Sequence, residues 1–182
     1  MKVATTPMCK YAVKFAGLSD FIVVKNGNFT DADLAIVLSE TETDIKSIKI
    51  KLNTYSQIFN SIIKLSDIFK TKVDERVMDD LQVKIKNIQD LKKVYEKRKI
   101  KVRVYSNFLE DIVKDMGFIV VQNNRENNCK NIVYPDYLEN EMELKEGDNF
   151  ISLPSHNNVP LNPLERAELR YDLLERKLCM KP

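Results

Sequence analysis

Residues 102–121 read VRVYSNFLEDIVKDMGFIVV, and this stretch decides the fold class of the chain. Residues 102–105 form a short apolar strand pattern, residues 108–116 have helical spacing, and residues 118–121 are a second apolar run. Gly117 stands where a helix C-terminus favours glycine. A strand, a crossover helix and a second strand together predict two parallel strands of an α/β sheet.

The N-terminal region has the same rhythm. Residues 3–6, 21–24 and 34–38 predict strands, and residues 8–16 predict a short helix that ends at Gly17. The run 34–38 is apolar on both faces, as a strand covered by helices on both sides requires. No internal repeat is evident. We therefore expect an α/β fold with one Rossmann-like, mostly parallel sheet in a single domain over residues 1–182.

Residues 44–99 predict a long helical hairpin inserted between strands. Its apolar residues keep a 3-4 spacing in both halves: Ile45, Ile48, Leu52, Tyr55, Phe59, Ile62 and Phe69, then Val77, Leu81, Ile85, Ile88 and Tyr95. Two interpretations remain open. The hairpin covers the sheet, which is the commoner use of an apolar helix face, or it protrudes and binds a protein partner or a second copy of the chain.

The last third of the chain is less regular. Residues 123–162 predict an irregular, partly extended segment, in which 132–134 can add a short strand. Residues 163–179 predict a C-terminal helix, because Asn162, Pro163 and Glu165 form a typical helix start. The face opposite its apolar residues is expected to be solvated; it carries Glu165, Arg166, Glu168, Arg170, Asp172, Glu175 and Arg176.

Composition limits the classes of function. The 29 basic and 27 acidic residues give a net charge of +2, which does not favour nucleic acid, and the basic run 92–103 is more typical of a solvated helix end. Three widely spaced cysteines and one histidine do not form a zinc-finger set, and no residue is assigned as a metal ligand. Free thiols are typical of a cytoplasmic protein, and no apolar run is long enough to span a membrane. No cofactor can be assigned.

Small polar residues follow three of the predicted strands. The carboxyl ends of parallel strands meet at one edge of a sheet, where ligands of α/β proteins bind. We therefore expect a shared cleft that binds an anionic small molecule or cofactor. Its expected ligand-binding residues are Thr5, Thr6, Lys10, Ser39, Glu40 and Ser106.

Cys9 is the candidate nucleophile of this cleft, because a helix N-terminus attracts anions and lowers a thiol pKa. The alternative is a small buried residue beside Ala12 and Val13. The hydroxyls and carboxylates of residues 39–44 suit a sugar, an amine or a hydrated Mg²⁺. The alternative is capping of the following helix, which explains Thr43 and Asp44 but not Glu40. His156 lies in a Pro- and Asn-rich stretch and is interpreted as a surface imidazole.

Val3, Ala4 and Thr5, followed by Cys9, resemble the start of small methanogen (archaeal) proteins that build the iron-guanylylpyridinol cofactor of a hydrogenase. In that family the cysteine at the strand tip attacks a carboxyl group of the cofactor precursor. The resemblance covers about a dozen residues and implies a nucleophilic role for Cys9. Its implied function is cofactor biosynthesis by a small-molecule-binding α/β protein. The alternative is a non-enzymatic subunit that docks onto a larger complex through residues 44–99 and the C-terminal segment.

Overall fold

The computed structural model describes residues 1–25, 27–121, 129–142, 146–156 and 159–179. The chain divides into two compact units, where the sequence predicted one domain. The first contains Met1–Lys84 and Pro160–Arg166, and the second contains Ile85–Val159 and the residues from Ala167 onward. Among the described helices, none has an apolar stretch long enough to cross a bilayer.

The first unit contains a parallel sheet whose described strands are ordered β2-β1-β3-β4. Along the chain its elements are β1 (Val3–Thr5), α1 (Lys10–Phe15), β2 (Ile22–Val23), β3 (Leu34–Leu38), β4 (Ser47–Ile50) and α2 (Tyr55–Phe69). The predicted strands at residues 3–6, 21–24 and 34–38 are therefore confirmed. The central strand β3 is buried from Leu34 to Val37, as its continuous apolar sequence requires.

The helix α3 (Glu75–Arg98) begins in the first unit and ends in the second. The second unit continues with β5 (Lys101–Val104), α4 (Asn107–Asp115), β6 (Ile119–Val121), β7 (Asn131–Pro135), a 3-10 helix (Asp136–Glu141), β8 (Asn149–Leu153) and α5 (Pro163–Leu178). Its described strands are also parallel, in the order β6-β5-β7-β8. The predicted α/β class with parallel strands is confirmed, but the strands form two sheets rather than one.

The two units repeat one topology, which the sequence did not reveal. In each unit the first strand lies between the second and third, and the fourth lies beside the third. The repeat extends to the end of the first helix. Leu18 N–H donates to the carbonyl of Val13, and Phe118 N–H donates to the carbonyl of Val113, both at 3.2 Å.

The predicted hairpin over 44–99 is wrong in its first part. Residues 47–50 form β4, and Ile36 of β3 pairs with Ile48. The helix begins only at Tyr55, where the Thr54 hydroxyl accepts a hydrogen bond from Gln57 N–H at 3.2 Å. In α2, Ile58, Ile62 and Leu65 are fully buried. The interpretation that this helix covers its own unit is therefore confirmed for α2. The alternative, an arm that protrudes freely, is not confirmed.

The C-terminal helix starts as predicted, since the Asn162 side chain accepts a hydrogen bond from Leu164 N–H at 3.0 Å. Two parts of the prediction for this region are wrong. Residues 149–153 form the regular strand β8, in which Ile151 and Leu153 are buried. Arg166 and Arg170 are 2% and 3% exposed, although they were expected on a solvated face.

Candidate functional site

Two polar segments leave adjacent strands at one edge of the first sheet. In β1 and β3, which are parallel neighbours, Thr5 lies opposite Ile36. The residues that follow these strands, Thr6 on one side and Ser39 with Glu40 on the other, therefore emerge at the same edge. The predicted parallel, side-by-side arrangement of these two strands is confirmed. The side chain of Thr5 is fully buried, however, and its hydroxyl donates to the Ile36 carbonyl at 2.7 Å, so it joins the strands.

Cys9 is a buried neutral thiol. It is 0% exposed, and burial raises its pKa to about 11, although hydrogen bonds from Thr6 and Thr5 and the charge of Arg166 act in the opposite direction. The expected lowering of this pKa is therefore wrong. The helix α1 has six residues, and the Cys9 side chain does not cap it. Beside Ala12 and Val13, which are also 0% exposed, Cys9 occupies a core position.

Arg166 is the group at this edge that the sequence reasoning missed. Its guanidinium Nη1 donates to the carbonyls of Pro160 at 3.0 Å and Leu161 at 3.2 Å, and lies 3.9 Å from Met8 Sδ. Within the described part of the chain, no carboxylate pairs with it. Burial lowers its pKa to about 10, against a smaller opposite effect of Cys9, so it remains a cation at neutral pH. A buried cation of this kind attracts anions.

Ser39 and Glu40 form the other half of the edge. The Ser39 hydroxyl donates to Glu40 Oε1 at 2.6 Å, and Ser39 N–H donates to the Ile50 carbonyl at 2.9 Å. Glu40 is exposed, and Ser39 is half-buried. Glu40 is close enough to Cys9 to raise the pKa of the thiol. The carboxylate of Glu40 is therefore fixed by its neighbour and faces solvent.

Lys10 and Ser106 are the two remaining predicted site residues. The Lys10 ammonium lies 5.9 Å from the ring centroid of Tyr11, as a cation–π contact. Ser106 follows β5 and belongs to the sheet of the second unit. Its Oγ is buried and has no hydrogen-bond partner among the described residues, and it does not cap α4 although Ser106 stands at the N-cap. The expectation of one sheet that carries all three strand ends is therefore wrong, because β5 lies in a different sheet from β1 and β3.

A second buried arginine organises the strand ends of the second unit. Arg170 donates to the carbonyls of Pro154 at 3.0 Å and Ser155 at 2.7 Å, and its guanidinium lies 4.8 Å from the ring centroid of Phe108. The Ser155 hydroxyl and N–H both donate to Asp136 Oδ1, at 2.5 and 3.1 Å. These contacts tie the ends of β7 and β8 together.

The helical wheel carried a signal for both arginines. A helix advances by about 100° per residue, so Arg166 and Arg170 lie one turn apart on the flank of the stripe formed by Ala167, Tyr171 and Leu174. Long side chains on such a flank often bury their stems. The alternation of Glu and Arg along the sequence concealed this position.

The donor groups for a metal ion are sparse. His156 is the one histidine of the sequence, and it is exposed. Within the described residues no three His, Cys, Asp or Glu side chains are placed to hold a metal ion. A separate open cavity of about 290 Å³ in the first unit contains none of the predicted site residues; it is lined by Gly27, Asn28, Phe29, Thr30, Asp44 and Ile45.

The sequence matches no family model, and no curated protein is significantly similar to it. Several solved structures of bacterial metal-binding proteins are similar to this chain in fold. A Zn(II)-bound variant of AdcAII from Streptococcus pneumoniae is 15% identical with a TM-score of 0.58, over 98% of both chains. Lmb of Streptococcus agalactiae, described as an adhesin with metal-transporting activity, is 11% identical with a TM-score of 0.59, over 97% of this chain and 98% of that one.

A periplasmic metal-binding protein from Candidatus Liberibacter asiaticus is 12% identical with a TM-score of 0.54, over 98% of this chain and 100% of that one. At these identities the likeness is one of fold. The parallel α/β architecture is thus shared with proteins that bind metal ions, whereas the donor groups described above are not arranged for such an ion.

Proposed function

We propose that this chain binds a small anionic molecule at the carboxyl edge of the first sheet, with Arg166 as the anion-binding group. The observation that carries the proposal is the burial of Arg166, at 2% exposure, with no carboxylate partner among the described residues. Placing a charge away from water costs several kcal/mol unless an opposite charge compensates it. An anionic ligand supplies that compensation.

The donors of Arg166 support the same conclusion. Its Nη1 donates hydrogen bonds to the carbonyls of Pro160 and Leu161, which fix the guanidinium in place. A guanidinium carries further N–H donors in a rigid planar fork, and this fork matches the oxygens of a carboxylate or a phosphate. The Thr6 hydroxyl, which lies beside Cys9, adds a neutral polar group at the same edge.

A metal ion is a poorer candidate for the ligand, although proteins of similar fold bind zinc or other metals. Zinc sites use Cys, His, Asp or Glu groups gathered around one point. Among the described residues no three such side chains lie close enough together to hold a metal ion. The buried cation Arg166 at the strand ends would also repel a metal cation. A small anion fits these charges better.

Two other roles and the cellular location stay predictions. Cofactor biosynthesis would need Cys9 as a thiolate, and the raised thiol pKa does not favour it. Docking of a protein partner through residues 44–99 would have to use the exposed side of that segment, because Ile58, Ile62 and Leu65 are buried in the first unit. A cytoplasmic location is in keeping with the three free cysteines.

Binding of simple anions to the purified chain tests the proposed function. Acetate, succinate, phosphate and sulfate are titrated into the wild type, Arg166→Met and Arg176→Met, and the affinity is measured by calorimetry. Arg176 is the matched control, because it lies on the same helix with an exposed side chain. We expect at least one anion to bind the wild type and the control alike, and to lose affinity for Arg166→Met by about tenfold or more. Equal affinity for all three proteins would refute the role of Arg166.

A further inference from the structure

Asp44 lines an open cavity in the first unit. The sequence allowed Thr43 and Asp44 to cap a long helix, but the next regular element is the strand β4, and α2 is capped by Thr54. The expected capping role of Asp44 is therefore wrong. The residue instead lines a cavity of about 290 Å³, together with Gly27, Asn28, Phe29, Thr30 and Ile45. This volume is that of about ten water molecules, so a small organic molecule fits in it.

The apolar part of the cavity wall belongs to the hydrophobic core. Phe29 is buried in a cluster with Ala4, Ala35 and Val37, and the partly buried Ile45 packs against the same cluster. Since the two alanines and the valine stand on β1 and β3, this part of the wall is anchored to the sheet. A ligand that contacts the exposed atoms of Phe29 and Ile45 removes apolar surface from water.

Local hydrogen bonds shape the polar part of the wall. The Asn28 Oδ1 atom accepts a hydrogen bond from Thr30 N–H at 3.1 Å. The residues on either side of Asp44 are joined as well, since the Thr43 hydroxyl donates to the Ile45 carbonyl at 3.0 Å. Both lining segments are thus held by a contact within the segment itself, and such preorganisation lowers the cost of binding.

The charge of the cavity is negative. Among the described residues of the lining, Asp44 alone is charged, and in the described part of the chain no cation pairs with its carboxylate. The Thr30 hydroxyl and the Asn28 side-chain carbonyl are neutral groups that can each accept a further hydrogen bond. The lining therefore favours a ligand that carries a positive charge and hydrogen-bond donors.

The cavity is separate from the anion-binding edge proposed above. Asp44 precedes β4, and near it the Lys46 carbonyl accepts a hydrogen bond from Ala35 N–H at 2.9 Å. Because Ala35 lies near the start of β3, Asp44 lies towards the amino ends of these parallel strands, whereas Ser39 and Glu40 follow the carboxyl end of β3. Ligand binding here goes beyond the proposed function and does not depend on it.

We propose that this cavity binds a primary alkylammonium ion, with its ammonium group on Asp44 and its hydrocarbon chain on Phe29 and Ile45. An ammonium group has three donors for the acceptors of the lining. Ca²⁺ takes about six to eight oxygen ligands and Mg²⁺ needs a near-octahedral set, whereas the described lining has one carboxylate beside apolar side chains. A neutral sugar lacks the positive charge that Asp44 attracts.

The test is an NMR titration of the ¹⁵N-labelled protein with n-butylammonium chloride at constant ionic strength. We expect saturable shifts of the backbone amide signals of Phe29, Thr30 and Ile45, with a dissociation constant on the order of 1 mM. The neutral analogue n-butanol has the same hydrocarbon chain, and it should bind about tenfold more weakly. Asp44→Asn should weaken the binding of n-butylammonium by a similar factor.

Asp67→Asn is the matched control, because Asp67 is an exposed aspartate of α2 and its substitution changes the net charge equally. It should leave the affinity unchanged. The proposal is overturned if Asp44→Asn or n-butanol leaves the affinity at the value of the wild type with n-butylammonium, or if no saturable shift occurs. It is also overturned if MgCl₂ or glucose shifts the same signals at lower concentration. None of these results bears on anion binding by Arg166, which is tested with other ligands.

Discussion

Gly17 and Gly117 follow α1 and α4, the helices after the first strand of each unit, and share a left-handed conformation with φ angles of +84° and +86°. In both cases the glycine N–H donates to a lysine carbonyl, of Lys14 at 2.9 Å and of Lys114 at 3.0 Å. Each glycine also lies against the backbone of another segment of its own unit. A Cβ atom at Gly17 would lie 2.2 Å from the carbonyl oxygen of Lys72.

Gly17→Ala is therefore expected to destabilise the protein strongly. The left-handed backbone costs a non-glycine residue about 1 kcal/mol, and the clash with the Lys72 backbone raises the total to about 3 kcal/mol. Gly147→Ala is the matched control, because Gly147 has a φ of +88° and open space around it. It should cost about 1 kcal/mol. Urea unfolding of the two variants measures the difference, and equal losses would contradict the close approach at Gly17.

Loss of the hydrogen bond between the Thr5 hydroxyl and the Ile36 carbonyl should lower the free energy of unfolding by less than Gly17→Ala does. Thr5→Val keeps the shape of the side chain but removes the donor from a fully buried site. We expect the free energy of unfolding to fall by about 1 to 2 kcal/mol. The exposed Thr30 provides a control, since Thr30→Val should change the free energy of unfolding by less than about 0.5 kcal/mol. An unchanged stability of Thr5→Val would show that this bond does not hold the strands together.

The three cysteines should differ in reactivity. Burial raises the pKa of both thiols, that of Cys9 to about 11, but Cys9 is fully buried whereas Cys179 is half-buried. Since the thiolate is the species that iodoacetamide alkylates, we expect Cys179 to react well before Cys9 in the folded protein at pH 8. Peptide mass spectrometry over a time course measures the order. Faster alkylation of Cys9 than of Cys179 would contradict the buried site and revive the nucleophile predicted from the sequence.

The same thiol predicts a loss of stability at alkaline pH. The pKa of Cys9 is higher in the folded state, about 11, than its ordinary value of 9.0, so the folded state favours the protonated thiol. Its contribution to stability is complete below pH 9 and is lost as the pH rises from 9 to 11. Two pKa units correspond to about 2 to 3 kcal/mol. Unfolding curves at several pH values should show this additional loss in the wild type and not in Cys9→Ala; identical pH dependences would be inconsistent with it.

The elements found correctly from the sequence are those with local signals. Gly17 and Gly117 end their helices, Pro163 opens the last helix, and the apolar run 34–38 is a buried strand. The strand β4 was missed because Ile45, Ile48 and Leu52 fit a helical spacing as well as they fit the alternation of Ser47–Ile50. A short apolar segment leaves this ambiguity open unless its hydrogen-bond partner is known.

The strand ends of the candidate site could be predicted from the sequence, but its buried arginine could not. Residues that follow β1 and β3 are grouped because both strands were recognised and lie side by side. The expectation that Ser106 follows a strand of the same sheet was wrong, since no local pattern tells which sheet a strand joins. Arg166 was missed because burial of a long charged side chain depends on the Pro160–Leu161 backbone packed around it, and not on its neighbours in sequence.

The side-chain NMR signal of Arg166 tests the central claim most directly. A resonance of the Arg166 Nε–H group, assigned with Arg166→Lys, is followed while the tightest ligand from the calorimetric panel is added. We predict that it shifts in a saturable manner, with the dissociation constant found by calorimetry, while the corresponding signal of Arg170 stays in place. Ligand binding that leaves the Arg166 signal unmoved would contradict the assignment of this guanidinium as the anion-binding group.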